Sequence, residues 1–427
     1  MKNSITLFFL VSFFAIFGQE SLTLEQALQT AKTNNPAITI NQIEEQIAKM
    51  QVYKANVGMV PRVDWNTSVG SAFNYVNQEF ISGATINRFG RNFAPNTNLS
   101  VNYTLFDGNS MKTRLEILDQ QSQRSGILTK NAEEVLTNEV INNFYQIARQ
   151  KEGLRFLNSV VKYYQERLSI TEQRWQIGRG SKLDYLQSQN DYNTQMTDIK
   201  NAELQLQNLK VRLNLLLNRD PFIEFDIVEP LATVENYNLE QAYLKAEKES
   251  EELALIAKDL DINALQIKVI QAQKKPQINV FGTFGYSFST SNAGFLLFNQ
   301  STGTNFGISA VWNVFDGGQV KNQSNIGKYR AQSLFKQREL VQQRIKSELS
   351  LAYNQWKIAG ETLQLEEINK NLAQENLEIS LEKFRLGAST ILELNDAQQR
   401  FDNASNRYIN AMYNLKFAAL EMERLMR

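Results

Sequence analysis

One helix-breaking turn is written twice in this chain, and the repetition restricts its fold more than any other feature. The first copy reads Arg174-Trp175-Gln176-Ile177-Gly178-Arg179-Gly180-Ser181-Lys182-Leu183-Asp184; the second reads Lys383-Phe384-Arg385-Leu386-Gly387-Ala388-Ser389-Thr390-Ile391-Leu392-Glu393. In both, a helix carrying an aromatic residue runs into a glycine, which takes the left-handed C′ conformation most readily, and a new helix starts from a hydroxyl cap three residues on. Ser181 with Asp184, and Thr390 with Glu393, fit the capping box, in which a hydroxyl and a carboxylate three residues later satisfy free backbone amides. Each copy predicts the tip of a helical hairpin.

Gly178 and Gly387 are 209 residues apart, and the same offset relates Phe106-Asp107-Gly108 to Phe315-Asp316-Gly317. Further upstream the offset is 215: Leu24-Glu25-Gln26-Ala27 returns as Leu239-Glu240-Gln241-Ala242, and Pro61 returns as Pro276. The difference of six residues falls between Pro61 and Phe106, where a loop must absorb it. The chain is therefore a tandem duplication of a unit of about two hundred residues, too long for a solenoid repeat. A first repeat over 19–218 is followed by a linker over 219–238, with Pro221 and Pro230, and by a second repeat over 239–427.

Each repeat opens with a short amphipathic helix, Leu24 to Asn34 and Leu239 to Glu249. A second helix follows in each, from about Ile38 to Val60 and from about Leu253 to Lys275, stopped by Pro61 and Pro276. The period then changes to two. Val63, Trp65, Thr67, Val69, Ser71, Phe73 and Tyr75 alternate with Asp64, Asn66, Ser68, Gly70, Ala72 and Asn74, as expected of a strand with one apolar and one small polar face. The same signal surrounds Leu99, Val101, Tyr103 and Leu105; Ile278, Val280, Phe284, Tyr286 and Phe288; and Phe306, Ile308, Ala310, Trp312 and Val314. Each repeat thus predicts one β-hairpin, over 62–106 and 277–315, with polar loops at about 76–97 and 290–304.

These strands reach the roughly nine to eleven residues that a tilted bilayer-spanning strand needs. Trp65 and Trp312 lie at the ends adjoining the helices, where an interfacial aromatic girdle would sit. Four strands leave open edges, which hydrocarbon forbids, so a bilayer location requires several chains to close one barrel. A soluble sheet with an apolar core face gives the same alternation.

Helical hairpins over 108–218 and 317–426 complete the repeats, with Asp107 and Asp316 as N-caps at the strand-to-helix joints. The first long helix, about 69 residues, would measure roughly 104 Å. Ile147, Leu154, Val161, Leu168 and Trp175 recur every seventh residue, as do Trp356, Leu363, Leu377 and Phe384 with Lys370 in the gap, which is coiled-coil spacing. Gly126, Gly153, Gly327 and Gly360 interrupt the long helices, each at about 1 kcal/mol against alanine, and predict close helix approach.

Composition narrows the chemistry. Cysteine and histidine are both absent, which removes disulfides, the usual zinc ligands and His-dependent catalytic triads, and no cofactor or metal site is expected. A formal net charge of zero gives no basic face for nucleic acid. No acidic pair converges on a loop or strand end as a carboxylate hydrolase would need, so no enzyme is expected. Residues 1–18 read as a secretory signal peptide: Lys2, an apolar run from Ile5 to Phe17, then Gly18 before a polar stretch.

The duplicated unit, the Leu-Phe-Asp-Gly joint and the aromatic-x-x-Gly turn before an acidic residue together resemble the TolC-like outer membrane efflux protein family, over essentially the whole mature chain. The resemblance implies a fold that is mainly α with a membrane β-barrel: a homotrimer in the Gram-negative outer membrane, with twelve strands, four per chain, forming one barrel and twelve helices a periplasmic tunnel. Such a duct is the passive exit of a tripartite efflux or type I secretion system, with a periplasmic adaptor (membrane fusion) protein and an inner-membrane pump as partners. By position, Arg174, Trp175, Gly178, Lys383, Phe384 and Gly387 would dock the adaptor, and Asp184, Glu393 and Asp396 would face the periplasmic aperture. A well-studied member has tyrosine and arginine tethers where this chain has Phe384 and Ser389, so the closing contacts must differ here. The alternative from a different class is a soluble periplasmic coiled-coil scaffold or adaptor.

Overall fold

A computed structural model of the chain describes residues 20–228, 236–293 and 296–427; the predicted signal peptide and the middle of the linker lie outside them. In chain order the elements are β1 (Glu20–Leu22), α1 (Leu24–Asn34), α2 (Pro36–Gln51), β2 (Arg62–Glu79), β3 (Thr85–Phe106), α3 (Ser110–Gln176), α4 (Lys182–Leu216), β4 (Phe225–Ile227), α5 (Leu239–Glu249), α6 (Glu251–Ala272), β5 (Gln277–Ser291), β6 (Phe298–Val311), α7 (Gln319–Arg385) and α8 (Ile391–Leu425). They fall into two compact units, one of Met1–Ile40, Lys130–Ser250 and Gln342–Arg427, the other of Asn41–Thr129 and Glu251–Val341.

The first unit is helical, with β1 and β4 paired in parallel. Leu22, Phe225 and Ile227 from these strands are buried with Ala27 and Ala31 of α1, Phe144 and Ile147 of α3, and Leu213 of α4. The bounds of α1 and α5 match the sequence reading because both starts are capped: Thr23 forms a full capping box with Gln26, and the Asn238 side chain accepts from the amides of Glu240 and Gln241. The second helices differ from expectation. Proline fits the first turn of a helix, and the Asn35 side chain accepts from the Ala37 amide at 2.9 Å, so α2 begins at Pro36 rather than Ile38. It also ends at Gln51, and a 3-10 turn over Lys54–Val57 closes on Gly58 at φ 84°. In its counterpart, α6, Glu251 and Glu252 occupy the first turn, where the helix dipole favours them.

The second unit carries an antiparallel sheet in the order β2-β3-β5-β6. Its pairing runs further than the alternation suggested: β2 and β3 stay in register to Glu79↔Thr85, and β5 and β6 to Thr290↔Phe298. The ladder is a backbone property, so residues that are polar on both faces, such as Asn87, Arg88, Asn92 and Asn96, continue it without alternating. Pro95 needs a break in the ladder, and the β3–β5 register passes from Phe93↔Thr290 to Asn96↔Ser287 over Ala94 and Pro95. At the other end β6 stops at Val311, one residue before Trp312.

The joint between strand and helix is a left-handed turn, with Gly108 at φ 74° and Asn109 at φ 73°, then Gly317 at φ 64° and Gly318 at φ 84°. Asp107 and Asp316 lie ahead of the N-cap position, yet each still serves a helix amide, Asp107 taking Met111 N–H at 2.7 Å and Asp316 taking Val320 N–H at 2.9 Å besides Gly318 N–H of the turn at 2.8 Å. Those two amides hold the Asp316 carboxyl below the usual carboxylate range. Of the helix glycines, Gly327 meets the expected close neighbour, since a Cβ there would lie 2.5 Å from Ile267 Cγ1; Gly153 has nothing within 4 Å.

Gly108 and Gly153 therefore respond oppositely to alanine. A Cβ on Gly108 would meet the Ala272 carbonyl oxygen at 2.6 Å at a positive φ, so Gly108→Ala should destabilise by at least about 1 kcal/mol. Gly153→Ala should stabilise by about 0.5–1 kcal/mol, and denaturant midpoints of the two variants check both signs.

Candidate functional site at the helical hairpin tips

Both tips adopt the same backbone. Gly178 sits at φ 73° and Gly387 at φ 80°. The amides of Arg179 and Ala388 reach back five residues to the carbonyls of Arg174 and Lys383, each at 2.8 Å, the longer bond of a Schellman motif. The caps beyond them differ. Thr390 and Glu393 form the predicted box in both directions, at 3.3 and 3.4 Å. Ser181 accepts only from Leu183 N–H at 3.0 Å; the aspartate at 184 is one methylene shorter than the glutamate of a box and does not return the bond.

The side chains of the tips are held by neighbours. Trp175 stacks on Tyr185 at 5.2 Å and 12°, with Lys182 Nζ 5.8 Å over its ring. Arg174 lies 4.5 Å over the Phe384 ring and donates to the Phe384 carbonyl, joining the first tip to the second. Phe384 itself is only 3% exposed, packed with Leu377, Leu381, Leu394 and Phe401, so the surface of the second tip is Lys383 and the run from Arg385 to Ala388. Gly178 is exposed in the first. Arg385 is ion-paired to Glu166 and Glu382.

Among the predicted aperture residues, Asp184 is half-buried in the first turn of α4 and Glu393 is exposed within its capping box. Asp396 is exposed and paired with Arg400 at 2.7 Å, a counterion four residues on that the i, i+4 spacing makes readable.

The heptad line through α3 is only partly the buried one. Ile147 is buried, Leu154, Val161 and Leu168 are half-buried, and Trp175 is at the surface. A straight helix turns about 20° per heptad away from a seven-residue line, which over four heptads carries it off the core. The residues buried nearer the tip are Val160, Tyr164, Arg167 and Thr171. Arg167 was not singled out by sequence reasoning, although an arginine at a core spacing is the signal. It is fully buried, bonded to Asp191 of α4 and to Asn395 and Gln398 of α8 at 3.0 and 2.6 Å, and 5.2 Å over the Tyr164 ring. Tyr164 in turn donates to Asp402 of α8 at 2.7 Å. Burial pushes the Asp402 carboxyl up to about 6 and raises the Tyr164 hydroxyl, while Arg167 pulls both the other way.

A second heptad line, also missed, runs along α7 through Leu351, Ile358, Leu365, Leu372 and Ile379 and reaches Leu386 in the turn beyond it. All six are 51 to 75% exposed.

On the sheet, Val63, Trp65, Val69, Phe73, Leu99, Val101, Phe284, Phe306 and Ile308 are exposed, and the register places them on one face. The opposite face carries bonded polar pairs such as Asn66 with Asn98 and Thr104 with Asn279. Trp65, 77% exposed, donates to Thr97 Oγ1 at 2.9 Å, and Trp312, 61% exposed, donates to the Lys274 carbonyl at 3.0 Å, so both rings present apolar area with a satisfied N–H. Among the described residues no helix is long and apolar enough to cross a membrane, and no acidic cluster could hold a metal ion.

Comparison with known proteins gives this geometry its class. Outer membrane protein TolC of Escherichia coli (strain K12) is 20% identical over 401 residues, covering 92% of this chain and 79% of the relative. The crystal structure of VceC from Vibrio cholerae has the same fold, with a TM-score of 0.75 at 15% identity over 94% of this chain and 95% of that one. The outer-membrane channel OprN matches with a TM-score of 0.76 at 16% identity over 94% and 89%. The class is that of outer membrane efflux ducts. The chain belongs to the outer membrane efflux protein family, whose profile matches residues 27–219 and 242–426. It is accordingly a protein of the Gram-negative outer membrane that reaches into the periplasm.

Because Phe384 fills the core behind both tips, Phe384→Ala should cost about 3–5 kcal/mol. Hydrogen exchange should show the loss as earlier opening of the amides of Gly387 and Ala388, with those of α1 unaffected.

Proposed function

We propose that three copies of this chain assemble into a channel-tunnel, the passive exit duct of a tripartite efflux or type I secretion system. The observation that carries the reading is the sheet. Among the described residues β2 and β6 each pair with one strand only, so an apolar-faced sheet of four strands ends in two open edges. Lipid does not tolerate such edges, and three copies pooling four strands each close a barrel of twelve.

The exposed stripe on α7 supports the same assembly. At the offset of 209, Leu365 and Leu372 correspond to Phe156 and Tyr163 of α3, which pack on Phe401 of α8 at 5.7 and 6.2 Å. The first repeat covers this face within the chain; in the second, α4 of the next copy is the equivalent cover. Helices α3, α4, α7 and α8 of three copies then line the tunnel. The tips, around Arg174, Trp175, Gly178, Lys383 and Gly387 with Phe384 buried behind them, meet a periplasmic adaptor, which links the duct to an inner-membrane pump. Asp184, Glu393 and Asp396 face the aperture, with Trp65 and Trp312 at the membrane interface.

Two measurements test the assembly. Leu365→Asp with Leu372→Asp should abolish the trimer, which in the wild type is expected to survive mild detergent and shift to monomer on heating, because each charge buried in the seam costs about 2 kcal/mol or more. Glu393→Ala with Asp396→Ala should reduce the cation selectivity of single channels in planar bilayers; unchanged selectivity removes these carboxylates from the aperture.

A further inference from the structure

The Arg167 cluster has no equivalent in the other repeat. At the offset of 209, Arg167 corresponds to Asn376, Tyr164 to Ala373 and Asp402 to Asn193. The duplicated scaffold therefore forms without these charges at one of its two matching positions, so the cluster is particular to the seam between α3 and α8 and not a requirement of the repeated unit.

Within that seam Asp402 is poorly matched to its surroundings when ionised. Its Oδ2 accepts from Tyr164 at 2.7 Å, but its Oδ1 is buried without a hydrogen-bond partner. The nearby cation does not bond to it: Arg167 bonds Asn395 and Gln398 through Nη1 and Asp191 through Nη2, and its Nε–H is itself buried without a partner. The groups that face Asp402 are thus Tyr164 and Arg167 of α3 and, beyond Tyr164, Asp191 of α4; α7 meets the same core with Leu377, Leu381 and Phe384. With Arg167 and Asp191 compensating each other, an ionised Asp402 leaves one uncancelled negative charge in the seam, and a protonated one leaves none.

We propose that Asp402 is a proton-operated latch on the α3–α8 seam, holding the hairpins of one chain together under mild acid and easing them apart near neutrality. The inference rests on the duct reading, since it supplies a regulation for the tunnel. Separation of α3 from α8 returns the carboxylate to water, so the separated state ionises more readily than the closed one. By linkage, protons favour the closed seam. The sign follows from a folded value raised above the ordinary 3.8 to about 6: the stabilising contribution is complete below the ordinary value and is lost as pH rises through about 6. The difference bounds the effect on the opening equilibrium at about a hundredfold per chain.

The test uses the full-length protein in planar bilayers, titrated from about pH 7.5 to about pH 4.5. Wild-type open probability is expected to fall by about tenfold or more over this range. Asp402→Asn should stay at the low, acid-like level throughout, and Tyr164→Phe, which strips the ionised carboxylate of its one bond, should move the fall to higher pH. Glu393→Gln with Asp396→Asn should retain the fall. A wild-type response in Asp402→Asn overturns the latch, as does loss of the response in the Glu393 and Asp396 variant, which would place it at the aperture. Thermal midpoints provide an independent reading: acidification should raise that of the wild type relative to Asp402→Asn, and equal responses overturn the latch. A wild type that forms no channel at all contradicts the duct, and the midpoints then still decide the latch.

Discussion

A backbone amide without a partner cannot remain in hydrocarbon, and this condition governs the rest of the structure. β2 runs for 18 residues and β6 for 14, both in an outer membrane protein and both with one neighbour among the described residues. Soluble proteins protect such edges with charges, prolines or bulges. Here the residues facing outward beside them are Val63, Trp65, Val69, Phe306 and Ile308, which invite lipid and deter nothing. The uncovered α7 stripe makes the same demand in the helical unit. The two requirements arise from different forces, unpaired hydrogen bonds in one and exposed apolar area in the other, and the proposed threefold association would meet both.

The duplication separates features kept in both repeats from those present in one. Both tips keep the left-handed glycine and the five-residue return bond, since a helix cannot reverse over so few residues without them. Side-chain chemistry around that shared turn has diverged. One cap is a reciprocal box and the other a single bond; one aromatic ring lies outside on Tyr185, the other inside under Arg174. Arg174 thereby ties the tips together through a ring face and a main-chain carbonyl, interactions available to a phenylalanine. The two tips of this chain thus meet through a contact that needs neither the tyrosine nor the arginine expected from the family resemblance.

Features with local causes were legible in the sequence. Helix starts with side-chain caps, the glycine turns and the alternating cores of the strands all announce themselves within a few residues. Strand ends did not, because pairing is carried by the backbone after the alternation has stopped, as from Arg88 to Asn92. The buried face of α3 was misjudged where a seven-residue line rotates off a 3.6-residue helix. Arg167 was passed over because its partners, Asp191, Asn395 and Gln398, lie on other helices at long sequence separation. Its spacing from Val160, Tyr164 and Thr171 marks the buried face, but only those partners explain how a charge can lie on it.

The placement of charge follows from when each seam forms. The α3–α8 seam joins parts of one chain, whose partners are tethered, so Arg167 and its acceptors can be desolvated together as the chain folds. The corresponding seam of the proposed trimer joins separate molecules. A buried arginine there would stand on the surface of the unassembled chain, and its dehydration would add to the cost of association. Asn376 and Ala373 occupy those positions, beside leucines whose burial favours assembly without an exact geometry. In the proposed trimer, ionic contacts within the chain and apolar ones between copies would let one sequence fold alone before it assembles.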